Sequence, residues 1–192
     1  MPTGVALRDV REQLFDAADR ILLRSGPEAL TSRAVTDTAG CAKGVLHRHF
    51  TDFDAFLADY VLDRVDRMDG HVTGLRDQAG TGTVPGNVAT ALTALFGSVA
   101  VALVALVTFR DGLRARLRDT WPAGVPVLTQ AAGLLADYLE DERARGRIAA
   151  GADPSVLGAI LIGTGHLLFA DRTGPAPTAD DVHRAVSAIL PA

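Results

Sequence analysis

Lys43 is the only lysine in a chain of 192 residues, and it stands among the groups best suited to grip a polyanion. Between residues 31 and 50, Arg33, Lys43 and Arg48 oppose the single acidic residue Asp37, and His47 and His49 can add further positive charge. The chemistry these residue types offer is charge-assisted hydrogen bonding to phosphate oxygens and donation to base edges. Its value depends on whether local structure presents the groups together.

The surrounding residues predict two short helices joined by a turn. Thr31 is a good N-cap, with a hydroxyl that can accept an otherwise unpaired backbone N–H. Ala34, Val35 and Ala39 can then face inward. Gly40 supplies the positive φ that ends a helix cheaply. A second helix is predicted from about Ala42, with Val45, Leu46 and Phe50 spaced for one face and its end. Two helices with a glycine turn between them make the helix-turn-helix shape, whose second helix enters the major groove of DNA. The same pattern also suits an ordinary helical hairpin with a solvated face.

The elements on either side follow from apolar spacing. Leu7, Val10, Leu14, Ala18, Ile21 and Leu22 form one face of an amphipathic helix over about 8–24, stopped by Ser25-Gly26-Pro27. Thr51 with Asp54 resembles a capping box, opening a helix that runs to about Arg76 with Phe56, Leu57, Tyr60, Val61, Val65 and Met68 along it. Residues 80–86 (GTGTVPG) read as a loop. Asn87 to Thr108 carries no charge, and Val88 to Val107 is almost wholly apolar. Such a run suits either a bundle centre or a membrane span. Its threonines, serine and alanines, and the lack of a basic flank on its N-terminal side, favour the bundle.

Further on, Phe109 to Asp119 predicts a short arginine-rich helix with Leu113 and Leu117 inward. A helix over about 126–145 follows, closed by Gly146. Asp153-Pro154 then caps a helix to about Ala170, and Thr178 with Asp181 opens a last one ending near Leu190. With no strand pattern and no internal repeat, the chain is predicted all-α. About nine helices are expected, divided into a head over 1–52 and a helical domain over 53–192.

Composition sets the class. Hydrophobic residues make up 48% and charged residues 22%, with a formal net charge of −4. The molecule as a whole therefore exerts no strong pull on polyanions. Cys41 is the single cysteine, which excludes an internal disulfide framework and fits a reducing compartment. No basic-then-apolar leader opens the chain, since Asp9, Glu12 and Asp16 come at once. A cytoplasmic location is expected, without attachment to a membrane.

The helix ending in glycine, Thr31-x-Arg33, the turn Ala39-Gly40-Cys41 and the run Lys43-Gly44-Val45-Leu46-His47-Arg48-His49-Phe50 resemble the tetracycline-repressor (TetR-like) family. The resemblance is close over about residues 8–60. Element order and length, including Gly146-Arg147-Ile148 before Asp153-Pro154, extend it over the rest. It implies a homodimeric regulator, most simply a repressor, released from a palindromic operator when a small molecule binds the C-terminal domain. It also implies roles for individual residues. Thr31, Ser32 and Arg33 would meet phosphates. Lys43, Gly44 and Val45 would face base edges, where lysine donates to guanine, glycine permits close approach and valine meets a thymine methyl. His47, Arg48 and His49 would approach the backbone or neighbouring bases, while Cys41, Leu46 and Phe50 pack the head.

Three positions depart from the family pattern. Ala42 replaces the serine that tends to open the recognition helix, losing a cap worth about 1 kcal/mol. His47 replaces a tyrosine, and Phe53 stands where a lysine reaches a phosphate. Residues 1–60 hold seven basic and nine acidic residues, so modest, salt-sensitive binding is expected.

Elsewhere the residues do not suggest an enzyme or a cofactor. His71, His166 and His183 are too scattered for a metal cluster, Ser98 and Ser155 have no evident base, and His166 reads as a packed or interface histidine. An apolar ligand pocket could draw on Phe96, Leu103, Val107, Trp121, Leu134 and Tyr138, with Thr108, Gln130 or Thr164 giving polarity; residues at this spacing more often form plain core. The scarcity of charge suggests a neutral or weakly polar ligand. By resemblance the last two long helices form the dimer surface, with Gly158 and Gly163 allowing close approach and Ile160, Leu161, Leu167 and Leu168 supplying area. The alternatives are a helical sensor or carrier whose head has lost DNA affinity, and a membrane-attached helical protein resting on Val88 to Val107 alone.

Overall fold

The computed structural model describes residues 4–171 and 174–190, with the side chains of 4–9 and 69–73 excepted. Leu7 and His71 therefore fall outside the described side chains. The helices are α1 (Gly4–Ser25), a 3₁₀ turn (Pro27–Ala29), α2 (Ser32–Ala39), α3 (Gly44–His49), α4 (Phe53–Arg76), α5 (Val84–Phe96), α6 (Ala100–Phe109), α7 (Asp111–Leu117), α8 (Pro126–Ala144), α9 (Pro154–Phe169) and α10 (Ala179–Ile189). The described residues contain no strand, and the fold is all-α. They form two compact units, one of residues 1–63 with 102–123 and the other of 64–101 with 124–192.

In the first unit, Leu14, Phe15, Ala18, Ile21 and Leu22 of α1 are buried together with Leu30, Val35, Leu46 and Phe50. An aromatic cluster knits the helices. Phe15 lies 5.6 Å from both Phe56 and Tyr60, and Phe50 meets Phe56 edge-on at 5.1 Å. Such pairs add about 0.5–1.5 kcal/mol each beyond their buried area. Arg11 braces the cluster from outside, its guanidinium 4.9 Å over the Phe50 ring and 2.8 Å from the Asp59 carboxylate.

The second unit is organised around a buried carboxylate. Glu142 of α8 is fully buried. It accepts from the Tyr138 hydroxyl at 2.6 Å, the Gly80 N–H at 3.2 Å and the Arg147 guanidinium at 3.2 Å. Arg147 also donates to the Thr81 and Gly82 carbonyls, and Asn87 Nδ2 donates to the Tyr138 oxygen and to the Thr81 carbonyl. The loop over 77–83 is thereby stapled to α8. Burial, reinforced by Glu142, pushes the Tyr138 hydroxyl well above the usual phenol range. Along α8 and α9, Gly158 lets the helices close up, since a Cβ there would lie 2.6 Å from the Ala132 carbonyl oxygen.

Several expectations change in detail. The apolar run over 88–107 is two helices, α5 and α6, interrupted at Gly97–Val99. The Ser98 hydroxyl takes over the Leu95 carbonyl and accepts the Ala100 N–H. Among the described residues, no single helix is long and apolar enough to cross a membrane. The cap of α4 is Asp52, not Thr51: its Oδ1 accepts the Ala55 N–H at 2.8 Å. Thr178 and Asp181 open α10 as predicted, through a reciprocal capping box, and Asp153 caps α9.

Candidate nucleic-acid interface

Thr31 begins the presentation of the predicted site. Its hydroxyl accepts the Ala34 N–H at 3.1 Å, and α2 runs from there to Gly40, which has φ 69°. Within α2, buried Thr36 donates its hydroxyl back toward the Ser32 and Arg33 carbonyls. Arg33 stays on the outer face, its side chain 75% exposed and 3.5 Å from Asp37. A pair this open adds little to stability, and leaves the guanidinium able to exchange partners.

The second helix is shorter than predicted. It spans Gly44–His49, and no side chain caps its start, where Lys43 holds the N-cap position. Leu46 is fully buried and Phe50 nearly so, which fixes the helix on the core by one face. Its other face carries the candidates: Lys43, Gly44, His47 and Arg48 are exposed, and Val45 and His49 half-buried. Cys41, expected to pack the head, is half-buried, with its Sγ 3.7 Å from the Ala39 carbonyl.

The charges on this helix are informative. His47, Arg48 and His49 sit at its C-terminal end, where the helix dipole favours cations, but Lys43 sits at the opposite end, where a cation is disfavoured. Neither Lys43 nor Arg48 makes an ion pair among the described residues. The fold gains nothing electrostatic from Lys43. Gly44 is similarly unconstrained from within, because a Cβ added there would meet nothing within 4 Å.

The other predicted sites are not gathered so clearly. Of the pocket candidates, Leu103, Val107 and Trp121 belong to the first unit, and Phe96, Gln130, Leu134, Tyr138 and Thr164 to the second. Phe96, Leu103, Val107 and Tyr138 are buried, and the Tyr138 hydroxyl is engaged by Glu142 and Asn87. Thr108 turns its hydroxyl back to the Val104 carbonyl. Of the dimer candidates, Gly158 and Leu161 are buried within the chain itself, Gly158 against α8, so they cannot supply an outer surface. Ile160 and Leu167 are 46% and 76% exposed, Gly163 is exposed, and Leu168 is half-buried. His166 packs its ring 5.9 Å from Phe96, and its buried Nδ1 has no hydrogen bond among the described residues. The described residues hold no cluster of three or more His, Cys, Asp or Glu able to bind a metal ion.

A set of contacts at the start of α4 joins residues too far apart in the chain for local sequence to pair. Arg110 pairs with Asp54, and Arg116 with Asp52. The Arg110 guanidinium also lies 5.2 Å over the Phe53 ring, which stacks on Phe56 at 5.5 Å. Phe53 is thus committed to an intramolecular stack.

The class defined by this fold and site is an all-α protein with an N-terminal helix-turn-helix. Residues 14–59 match the family model of bacterial regulatory proteins, tetR family. Solved structures extend the likeness of fold over the whole chain. A TetR-family transcriptional regulator of Mesorhizobium loti aligns with a TM-score of 0.69 at 14% identity, covering 95% of this chain and 93% of that one. The reduced form of NemR from E. coli aligns with a TM-score of 0.73 at 16% identity, covering 94% and 95%. FadR from Bacillus subtilis in complex with stearoyl-CoA aligns with a TM-score of 0.62 at 16% identity, covering 93% and 94%. A search of curated proteins gives no match. The chain is TetR-like, in the sequence of its head and in its fold.

Proposed function

We propose that the chain is a dimeric DNA-binding transcriptional regulator, a repressor that leaves a palindromic operator when a small, largely apolar ligand binds. The observation that carries this reading is the outer face of α3. Lys43, Gly44 and Arg48 are exposed, unpaired among the described residues and unexplained by internal packing, while Leu46 and Phe50 anchor the opposite face. Thr31, Ser32 and Arg33 at the start of α2 supply phosphate contacts. Lys43, Gly44 and Val45 meet base edges, with His47, Arg48 and His49 alongside. The head is residues 1–52, and the remainder binds ligand and partner.

Dimerisation is supported by α9, where Val156, Ile160 and Leu167 remain 52%, 46% and 76% exposed. Their spacing of four and seven places them on one stripe, and exposed apolar stripes of this kind are covered by a partner helix. A two-fold dimer presents two recognition helices about one DNA turn apart or a little more. The FadR structure holds a fatty-acyl thioester, and an apolar effector for this chain accords with its apolar, charge-poor helices. Release requires that ligand to prefer the non-binding geometry, since equal affinity for both states shifts nothing.

A second reading, a helical sensor or carrier with little DNA affinity, is favoured by the uncapped start of α3 and by the commitment of Phe53 to Phe56 and Arg110. Selection of bound duplexes from a random pool separates the two, with light scattering in parallel. An enriched two-half-site sequence bound by a dimer supports the regulator. No enrichment by a folded dimer supports the sensor, and a monomer at micromolar concentration removes the two-fold reading.

A further inference from the structure

We infer that Arg110 and Arg116, which lie far along the chain from the helix-turn-helix, tune DNA affinity by neutralising the acidic start of α4. The inference rests on the DNA-binding reading above and adds two residues to it. Asp52 and Asp54 follow the recognition helix at once. Asp52 lies three residues beyond His49, so the two Cα atoms are within about 11 Å of one another. That is near one Debye length at physiological salt. Unpaired, these carboxylates would repel the phosphates that Arg48 and His49 approach.

The structure supplies a fitted counter-charge for each. Arg110 Nε lies 2.5 Å from Asp54 Oδ1, and Arg116 pairs with Asp52 Oδ2. Asp52 keeps Oδ1 for the Ala55 N–H, so capping and neutralisation use different oxygens. Arg110 is steadied by the Phe53 face beneath it. Gly112 makes room, since a Cβ there would lie 2.5 Å from Asp54 Oδ2. The side chains in these two pairs remain between 30% and 48% exposed. Pairs this open contribute little to folding, so removing them leaves the head folded. Their effect is on the field outside it.

The consequence is that affinity follows the net charge of this four-residue group, whichever residue supplies it. A unit charge about 10 Å from a phosphate changes affinity about twofold in water. Two charges facing a few phosphates change it about five- to tenfold, and less as salt rises. A charge series on the full chain tests this, with the duplex selected by the wild type as probe. Arg110→Ala with Arg116→Ala leaves two net negative charges and should bind about five- to tenfold more weakly at low salt. Asp52→Asn with Asp54→Asn leaves two positive charges and should bind more tightly by a similar factor, asparagine remaining a good N-cap. All four changes together restore neutrality and should return affinity to within about twofold of wild type.

A flat series, or a quadruple variant as weak as the double arginine variant, would overturn the inference; the second result would mean that the arginines touch DNA themselves. A wild type that selects no duplex would overturn the regulator reading and this inference with it, and so is distinct from a flat series on a duplex that binds.

Discussion

Replacing Gly44 with alanine should separate folding from DNA binding. Gly44 is exposed at the start of α3 and its backbone is not in the positive-φ region. An added Cβ would meet nothing within 4 Å. Within the protein the change is therefore permitted, and glycine-to-alanine in a helix gains up to about 0.5–1 kcal/mol, the lower end applying in a first turn. For a chain of this size that corresponds to a Tm unchanged or raised by up to about 3 °C. On the outside, if the proposed docking holds, a methyl group at the point where α3 meets base edges disrupts close contact. Loss of one good base contact costs about 1–3 kcal/mol, or about five- to 150-fold in affinity. Calorimetry for Tm and fluorescence anisotropy on the selected duplex read the two effects separately. A fall of several degrees in Tm would show that the fold needs this glycine, and unchanged affinity would remove Gly44 from the interface.

Three further expectations concern the rest of the molecule. Glu142→Ala leaves Arg147 without its carboxylate and Tyr138 without its acceptor, and breaking such a buried pair costs about 3–5 kcal/mol. Because Arg147 keeps two carbonyls and is 26% exposed, the lower end is expected in urea unfolding, and a loss below about 1 kcal/mol would contradict the network's role. Gly165→Ala places a Cβ 2.6 and 2.8 Å from Phe96 ring carbons, so overpacking of about 1–3 kcal/mol is expected, relieved by adding Phe96→Leu; a fully stable single variant would count against that close contact. The Asp181 carboxyl is held below its ordinary value by the Thr178 hydroxyl, then the Thr178 N–H, then Arg184. A lowered folded pKa gives stability that is present above the unfolded value, near pH 4, and lost as pH falls through the folded one. Thr178→Ala should flatten that acid limb, as read from urea midpoints between pH 5 and pH 2; an unaltered limb would refute the assignment.

What the sequence made legible was local. Thr31 as a cap, Gly40 as a left-handed stop, the Thr178–Asp181 box and the Asp153-Pro154 start all depend on residues within four positions of one another, and each is present. Where two caps competed, the register slipped by one: Thr51 and Asp52 are both good N-caps, and the structure uses Asp52. The break at Gly97–Val99 was hidden because a run without charge or proline looks alike as one helix or two. A serine that bonds its own backbone carries no periodicity to reveal it. The exposed face of α3, which we propose reads DNA, could be assembled from sequence because its residues lie close together. The Arg110–Asp54 and Arg116–Asp52 pairs span 56 and 64 residues, and Glu142 reads as one more charge on an amphipathic helix. Long-range pairing and burial of a carboxylate leave no local pattern. The proposed dimer stripe on α9 was legible in part, since the spacing marks Ile160 and Leu167 but does not tell which apolar residues α8 has already covered.

The proposed reading of DNA by the outer face of α3 is tested most directly by titrating the selected duplex with wild type and Lys43→Ala, at low and at physiological salt. Lys43 is exposed and lacks an ion pair among the described residues, so the variant should keep the wild-type Tm. It should lose about 1–3 kcal/mol of affinity for the selected duplex, about five- to 150-fold, while losing much less on random DNA. Equal affinity of the two proteins for the selected duplex, with both folded, would contradict the claim and leave the sensor reading in its place.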